Sequence, residues 1–401
     1  MKILPVIDKE TKSKFLDLVE LIYKDDEAFV RPLDVQIEEI FNPATNNFFT
    51  HGEAERFILV NDDGVTIGRV AAFINSKKAY GFEQPTGGMG FFECINDKKA
   101  AFLLFDTAKD WLTQRGMEAM DGPINFGEND NFWGLLVEGF TQPGFGMQYN
   151  PPYYVEFYES YGFKNYFEQV TNHLNPQKPF PERFWKIAGR VVSRENYDFR
   201  TFNWKESEKF ISDFKEVYDD AWKFHENFTP MQPEVLRNSL NEAKSFMDKD
   251  MIWYVYHNNE PIAFLIMFPD VNQILKHFNG KFTLFNKLRF LYYKRTIEMT
   301  RSRVVILGVK TQYQRLGIES GIFWHLRDVM AKRPHITEME LSWVGDFNPK
   351  MTALHNAMGA DFGKKHITYR YIFDPKKRAE THRAGSIPTG TKFQTKASEM
   401  Q

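Results

Sequence analysis

Residues 304–330 read V-V-I-L-G-V-K-T-Q-Y-Q-R-L-G-I-E-S-G-I-F-W-H-L-R-D-V-M, and they constrain the fold more than any other stretch. The apolar run Val304 to Val309 has the length and composition of a buried strand. A polar turn follows from Lys310 to Gly317, and an amphipathic helix opens near Ile318. A strand that passes into a helix through such a turn leaves backbone N–H groups unpaired at the helix start. Those donors converge, and the helix dipole adds positive potential, so the junction suits a phosphate.

Composition removes several alternatives. At 401 residues with 42% hydrophobic content, the chain has room for two or three domains with well-filled cores. A net charge of −2 lacks the basic excess of a general nucleic-acid binder, so no nucleic-acid partner is expected. The lone Cys94 excludes an intrachain disulfide framework and fits a reducing compartment. No apolar run reaches the ~18 residues of a membrane span, and Met1 to Asp8 has no leader pattern. A cytoplasmic protein without a membrane span is the expectation. No histidine pair has metal-ligand spacing with acids, so no metal site is expected.

The two halves repeat one order of elements. In the second half, residues 207–222 have helical apolar spacing, and Pro233 to Met247 reads as a helix with proline in its first turn. Trp253–Tyr256 and Ile262–Met267 flank a turn at His257–Pro261, which signals a hairpin. After 304–330, Met339–Val344 alternates as a strand, Met351–Met358 reads as a helix ended by Gly359, and His366–Phe373 as a last strand. In the first half, a helix over Lys14–Tyr23 precedes Phe57–Val60 and Thr66–Ile74, a hairpin around Asn61–Gly64. A turn at Gly87–Gly90, a strand at Gly90–Ile95, a helix at Lys98–Gln114 and a helix at Tyr154–Tyr161 ended by Gly162 follow.

Two motifs then line up. Gln314-Arg315-Leu316-Gly317-Ile318-Glu319 resembles the Q/R-x-x-G-x-G/A pyrophosphate loop of the GNAT acyltransferases. F-Y-E-S-Y-G-F (157–163) and L-H-N-A-M-G-A (354–360) both resemble the GNAT signature l-Y-e-k-l-G-F. The resemblance implies an α/β (α+β) fold of two GNAT-like domains, each a mixed, mostly antiparallel sheet flanked by helices. The expected limits are 1–190, 191–375 with the loop, and a flexible tail over 376–401.

The resemblance also implies acetyl-CoA or another acyl-CoA as substrate and a small-molecule amine as acceptor. The strand backbone at Leu307, Gly308 and Val309 would pair with the pantetheine arm. The N–H groups of Gln314, Arg315, Leu316, Gly317, Ile318, Glu319 and Ser320 would hold the pyrophosphate, with Asn348 nearby. Glu319 departs from the pattern, since the family has Gly or Ala there. His355 stands where the family has a tyrosine that protonates the leaving thiolate, and an imidazolium can do the same. A general base is Glu340 or Asp346, or neither, each also explained as a solvated or paired carboxylate. Asn348 before Pro349 is also a complete helix cap.

The first half lacks the glycine loop and is expected not to hold CoA. Its turn-rich segment 121–134 brings Asn125, Glu128, Asp130 and Trp133 to an acceptor surface, with Tyr158 at the counterpart of His355. Two alternatives stay open: a non-catalytic ligand-binding protein, and a transferase with a lipid-acyl or aminoacyl-tRNA donor. The basic, aromatic-rich insertion 270–303 is either a lid with a solvated face or a membrane-surface or partner helix.

Overall fold

The computed structural model describes residues 1–124, 126, 134–223, 230–346 and 348–378. The first half runs β1 (Lys2–Pro5), α1 (Lys9–Ile22), α2 (Asp34–Ile40), β2 (Gly52–Val60), β3 (Thr66–Asn75), β4 (Thr86–Cys94), α3 (Lys98–Thr113), β5 (Ala119–Gly122), β6 (Leu135–Glu138), α4 (Tyr154–Tyr161) and β7 (Lys164–Leu174). The second runs α5 (Glu182–Val192), β8 (Tyr197–Thr201), α6 (Ser207–Trp222), α7 (Pro233–Ala243), β9 (Ile252–His257), β10 (Glu260–Pro269), α8 (Asn272–Leu275) and α9 (Leu284–Thr296). It continues with β11 (Arg301–Val309), α10 (Ile318–Ala331), β12 (Glu338–Glu340), β13 (Val344–Gly345), α11 (Pro349–Met358), β14 (Asp361–Ile372) and α12 (Pro375–Arg378).

The strands join one mixed sheet in the order β1-β2-β3-β4-β5-β14-β7-β12-β11-β10-β9-β8. β13 adds to β7 and β6 adds to β14. The halves trade their last strands. β14, the end of the second half, lies between β5 and β7, with Ile372 opposite Ala119 and His366 opposite Gln169. β7, the end of the first half, pairs with β12 and β13. Each half completes its sheet with a strand of the other.

Local chemistry explains the punctuation. Asn258 and Asn259 take positive φ in the β9–β10 hairpin, where the strand twist demands it. α4 and α11 both end on a left-handed glycine, Gly162 and Gly359, and both lead into an exchanged strand. The 87–90 turn is not formed: Gly87 to Gly90 lie inside β4, buried on both faces. Their lack of side chains fits close neighbours, since a Cβ on Gly88 would strike the Phe73 ring at 2.1 Å. The expected tail starts in order, because α12 is pinned by Arg378 donating to Ile372 O at 2.7 Å.

Apolar clusters fill both faces. One lies between α3, α4 and β3–β5; another lies under α5 and α10 around Val255, Leu265 and Ile322; a third lies under α6 around Phe214, Tyr254 and Phe264. The site sits where the second cluster meets the centre of the sheet.

Candidate functional site

β11 pairs fully with β10 on one edge, from Ser302 opposite Pro269 to Val309 opposite Ala263. Its register slips so that Val305 faces no partner residue: Ile266 opposes Ile306 and Met267 opposes Val304. This bulge re-aims the strand. On its other edge β11 pairs with β12 only from Arg301 to Arg303. The expected strand 339–344 is broken into β12 and β13, with Leu341 to Trp343 between them. From Val304 onward, therefore, β11 has one edge without a strand partner among the described residues, and this edge includes Leu307, Gly308 and Val309. Gly308 is required on the opposite face, where a Cβ would lie 2.8 Å from the rings of both Phe264 and Trp222.

The parted strands open toward α11. The slot between them is lined by Val304, Leu307, Leu341, Ser342, Leu354 and His355, and it encloses about 10 Å³, room for about one water. Met351 and Met358 close it, and methionine side chains repack readily. A larger hollow of about 530 Å³ lies elsewhere, between Phe246, Arg295 and His335, and none of the expected site residues lines it. The strand geometry, rather than hollow size, marks the site.

At the end of β11 the turn is braced. Lys310 Nζ pairs with Glu216 Oε1 at 2.5 Å and Glu260 Oε1 at 2.7 Å, and Thr311 N donates to Asp220 Oδ1. Gln314 serves as a strut: its Nε2 donates to Val309 O, and its Oε1 accepts from Lys350 Nζ at 2.9 Å. Arg315 and Gly317 both take left-handed φ, at 68° and 79°. The N–H groups of Arg315, Gly317, Ile318 and Glu319 have no main-chain or side-chain hydrogen-bond acceptor in another described residue. Ser320 N is already turned onto Gly317 O at 3.0 Å, and Leu316 N onto Tyr313 O. The cradle is narrower than the sequence expects. A Cβ on Gly317 would meet Ile187 of α5 at 2.9 Å, so this glycine serves packing against α5 as well as close approach from outside.

Glu319 sits half-buried at this cradle. Burial pushes its carboxyl above the ordinary range, opposed by a contact with its own backbone N–H. The acid thus lies beside one of the donors that an anion would use.

His355 is buried on α11. Burial holds its ring down at about 4, so it is neutral at pH 7 and the expected imidazolium is not its resting form. Asn172 Nδ2 donates to its Nδ1 at 3.1 Å, which puts the ring proton on Nε2. Glu340 is not beside it. The strand alternates, so Leu341 faces the slot while Glu340 points through the opposite face. There Glu340 lies 3.6 Å from Arg303 and 3.3 Å from Lys364. Two cations hold this acid, so as a free general base it is poorly placed. Asp346 is exposed. Asn348 caps α11 by accepting from Met351 N at 3.3 Å. Tyr158 is fully buried among Phe92, Phe105 and Tyr369 and reaches no acceptor surface, because its ring is the centre of the first-half core. Asn125, Glu128, Asp130 and Trp133 lie outside the described residues.

Strands that part beside a helix start with free amides, together with two halves of one plan, define the architecture. No protein-family model matches the chain. Among solved structures it is similar to a tandem GNAT protein from the clavulanic acid biosynthesis pathway, with TM-score 0.54, 11% identity, and coverage of 93% of this chain and 99% of the other. The chain has a tandem GNAT-like fold. A GCN5-related N-acetyltransferase from Sphaerobacter thermophilus matches the GNAT-like fold at TM-score 0.50 and 10% identity, over 93% of this chain and 96% of that one. Among curated proteins, the bacterial ceramide synthase of Caulobacter vibrioides is 28% identical over 383 residues, 92% of this chain and 96% of its own. Protein YghO of Escherichia coli is 24% identical over 372 residues, 90% and 93%.

Three residues of this candidate site were not expected from sequence. Lys350 places an exposed ammonium beside the loop, in the first turn of α11, where a cation opposes the helix dipole. That unfavourable placement was the available signal. Ser342 lines the slot, and Asn172 sets the His355 tautomer from a strand of the other half. Neither has a local signature.

Proposed function

We propose that this protein is an acyl-CoA-dependent N-acyltransferase whose donor site lies between β11, α10 and α11. The observation that carries the reading is the free edge of β11 ending at unpaired amides before α10. The Arg315, Gly317, Ile318 and Glu319 N–H groups would hold the pyrophosphate, with Lys350 adding charge. The edge from Val304 to Val309 would hydrogen-bond the pantetheine arm, with Met351 and Leu354 moving aside. Residues 1–190 and 191–375 act in this reading as two copies of one plan, and the second binds the donor.

The amine lone pair attacks the thioester carbonyl, a C–N bond forms and the C–S bond breaks. The nitrogen loses a proton as the departing thiolate gains one, and the neutral ring of His355, which lines the slot and carries its proton on Nε2, would ease that transfer as a hydrogen-bond donor. The relative named a bacterial ceramide synthase supports an acceptor amine carried on a lipid rather than a small soluble amine. Glu319 beside its own amide favours one other reading, a protein that binds a thioester weakly and does not turn it over.

Calorimetric titration with acetyl-CoA and long-chain acyl-CoA tests the donor. Saturable binding is expected, and no binding of either at millimolar ligand would remove the proposal. Mass-spectrometric screening of short amines against long-chain amino alcohols tests the acceptor. Binding without any amide product across that panel would select the non-catalytic reading.

A further inference from the structure

α9 stands apart from the rest of the surface. Leu284, Phe285, Leu288, Leu291 and Tyr292 are 78, 69, 61, 53 and 63% exposed. At 3.6 residues per turn they share an arc of about 120°. The opposite face packs inward: Phe290 is buried with Leu33, Ile274 and Phe278, and Tyr293 lies against the same cluster. The arc therefore points outward by construction, not because the helix lacks a core. Scattered exposed apolar side chains are ordinary, whereas a contiguous stripe of large ones marks a contact surface.

The charge around the stripe is of one sign. No acidic residue occurs between Asp270 and Glu298. Lys287 and Arg289 flank the arc on either side, and Arg295 continues it at the C-terminal end. None of the cations on α9 forms an ion pair among the described residues: Arg289 bonds Asn286 and Tyr293, and Lys294 donates to Ser245 O. The segment is also rigidly mounted. Lys281 bridges Asp17 at 3.1 Å and Asp34 at 2.6 Å, and Asp34 N donates to Gly280 O. Thr283 caps the helix through Asn286 N. A braced helix keeps its apolar side chains outward without collapsing onto the protein.

We propose that α9 is an interfacial anchor that docks this protein on an anionic lipid bilayer surface. The apolar arc enters the acyl boundary, and the flanking cations sit at headgroup level. A second copy of the chain fits poorly, because face-to-face packing would bring Lys287 and Arg295 of both copies together. A nucleic acid would leave the apolar arc wet. The anchor rests on this patch alone and is independent of the donor site.

The test is flotation of the full-length chain with vesicles of phosphatidylcholine, or of equal parts phosphatidylcholine and phosphatidylglycerol, without any acyl-CoA. Co-flotation with the anionic vesicles, weakened by high salt, is the expected result. Leu288→Asp with Leu291→Asp, and separately Lys287→Glu with Arg295→Glu, should each lower the partition coefficient by about tenfold or more. All four side chains are exposed, and an unchanged thermal midpoint would confirm intact folding. No flotation of the wild type with anionic vesicles would overturn the proposal, and so would wild-type partition in both variants. A dimer in solution that dissociates in the leucine variant, without vesicle binding, would assign the patch to a second copy instead.

Discussion

Glu319 is the residue on which donor affinity turns. A carboxylate ~6 Å from a phosphate at an effective dielectric of ~20 opposes binding by up to about 3 kcal/mol. Glu319→Gln keeps the shape and removes the charge, so acyl-CoA should bind about tenfold tighter or better by calorimetry. Because burial raises this carboxyl, lowering the pH through its titration neutralises it and should tighten wild-type binding, a trend absent from the variant. Equal affinities for both proteins would mean that the acid turns away from the phosphate. For His355, His355→Ala should lower kcat at least tenfold while leaving the acyl-CoA dissociation constant within about threefold, since a hydrogen bond to the developing thiolate is made only in the transition state. Gly317 and Glu319 were legible in sequence because a turn is local chemistry. Asn172 was not, because it reaches the site through pairing of strands far apart in the chain.

At the scale of elements, the contact of α10 with α5 decides whether the cradle keeps its shape. A Cβ on Gly321 would lie 2.6 Å from Phe199 of β8 and 3.0 Å from Val191 of α5, so α10 comes close to both at this glycine. Gly317→Ala adds a left-handed φ to a 2.9 Å approach to Ile187, and should destabilise the protein by about 1–2 kcal/mol in urea unfolding. Adding Ile187→Ala should relieve the steric part and leave the backbone part. If Gly317→Ala alone is neutral, α5 does not constrain the turn. Most helices and hairpins were readable because apolar period and turn residues repeat within each segment. The break between β12 and β13 was not, since Leu341-Ser342-Trp343 continues the alternation while its partner strand departs. The Gly87–Gly90 misreading has a similar cause: glycines that suggest a turn in isolation are packing vacancies inside a sheet.

The molecule as a whole should be acid-labile. His355 and His366 are both buried, and burial lowers each to about 4; His366 also donates to Gln148 O at 3.0 Å. Between pH 6.5 and 4 the unfolded chain therefore binds more protons than the folded one, and stability falls as the pH drops through that window. The loss is on the order of 3 kcal/mol per histidine at most. Denaturant unfolding at pH 7 and pH 4.5 should show it, and His355→Asn should reduce the difference; a flat profile would mean that these rings are hydrated. The duplicated plan was visible in sequence, but the traded strands were not, because hydrophobic alternation says which face of a strand is buried and nothing about which neighbour it finds. That trade also has a consequence during synthesis. A ribosome that has made residues 1–200 has produced a sheet with a gap between β5 and β7, and only the emergence of residues 361–372, well over a hundred positions later, can fill it. The nascent first half must wait, sheltered or unfinished, until the second half has been made.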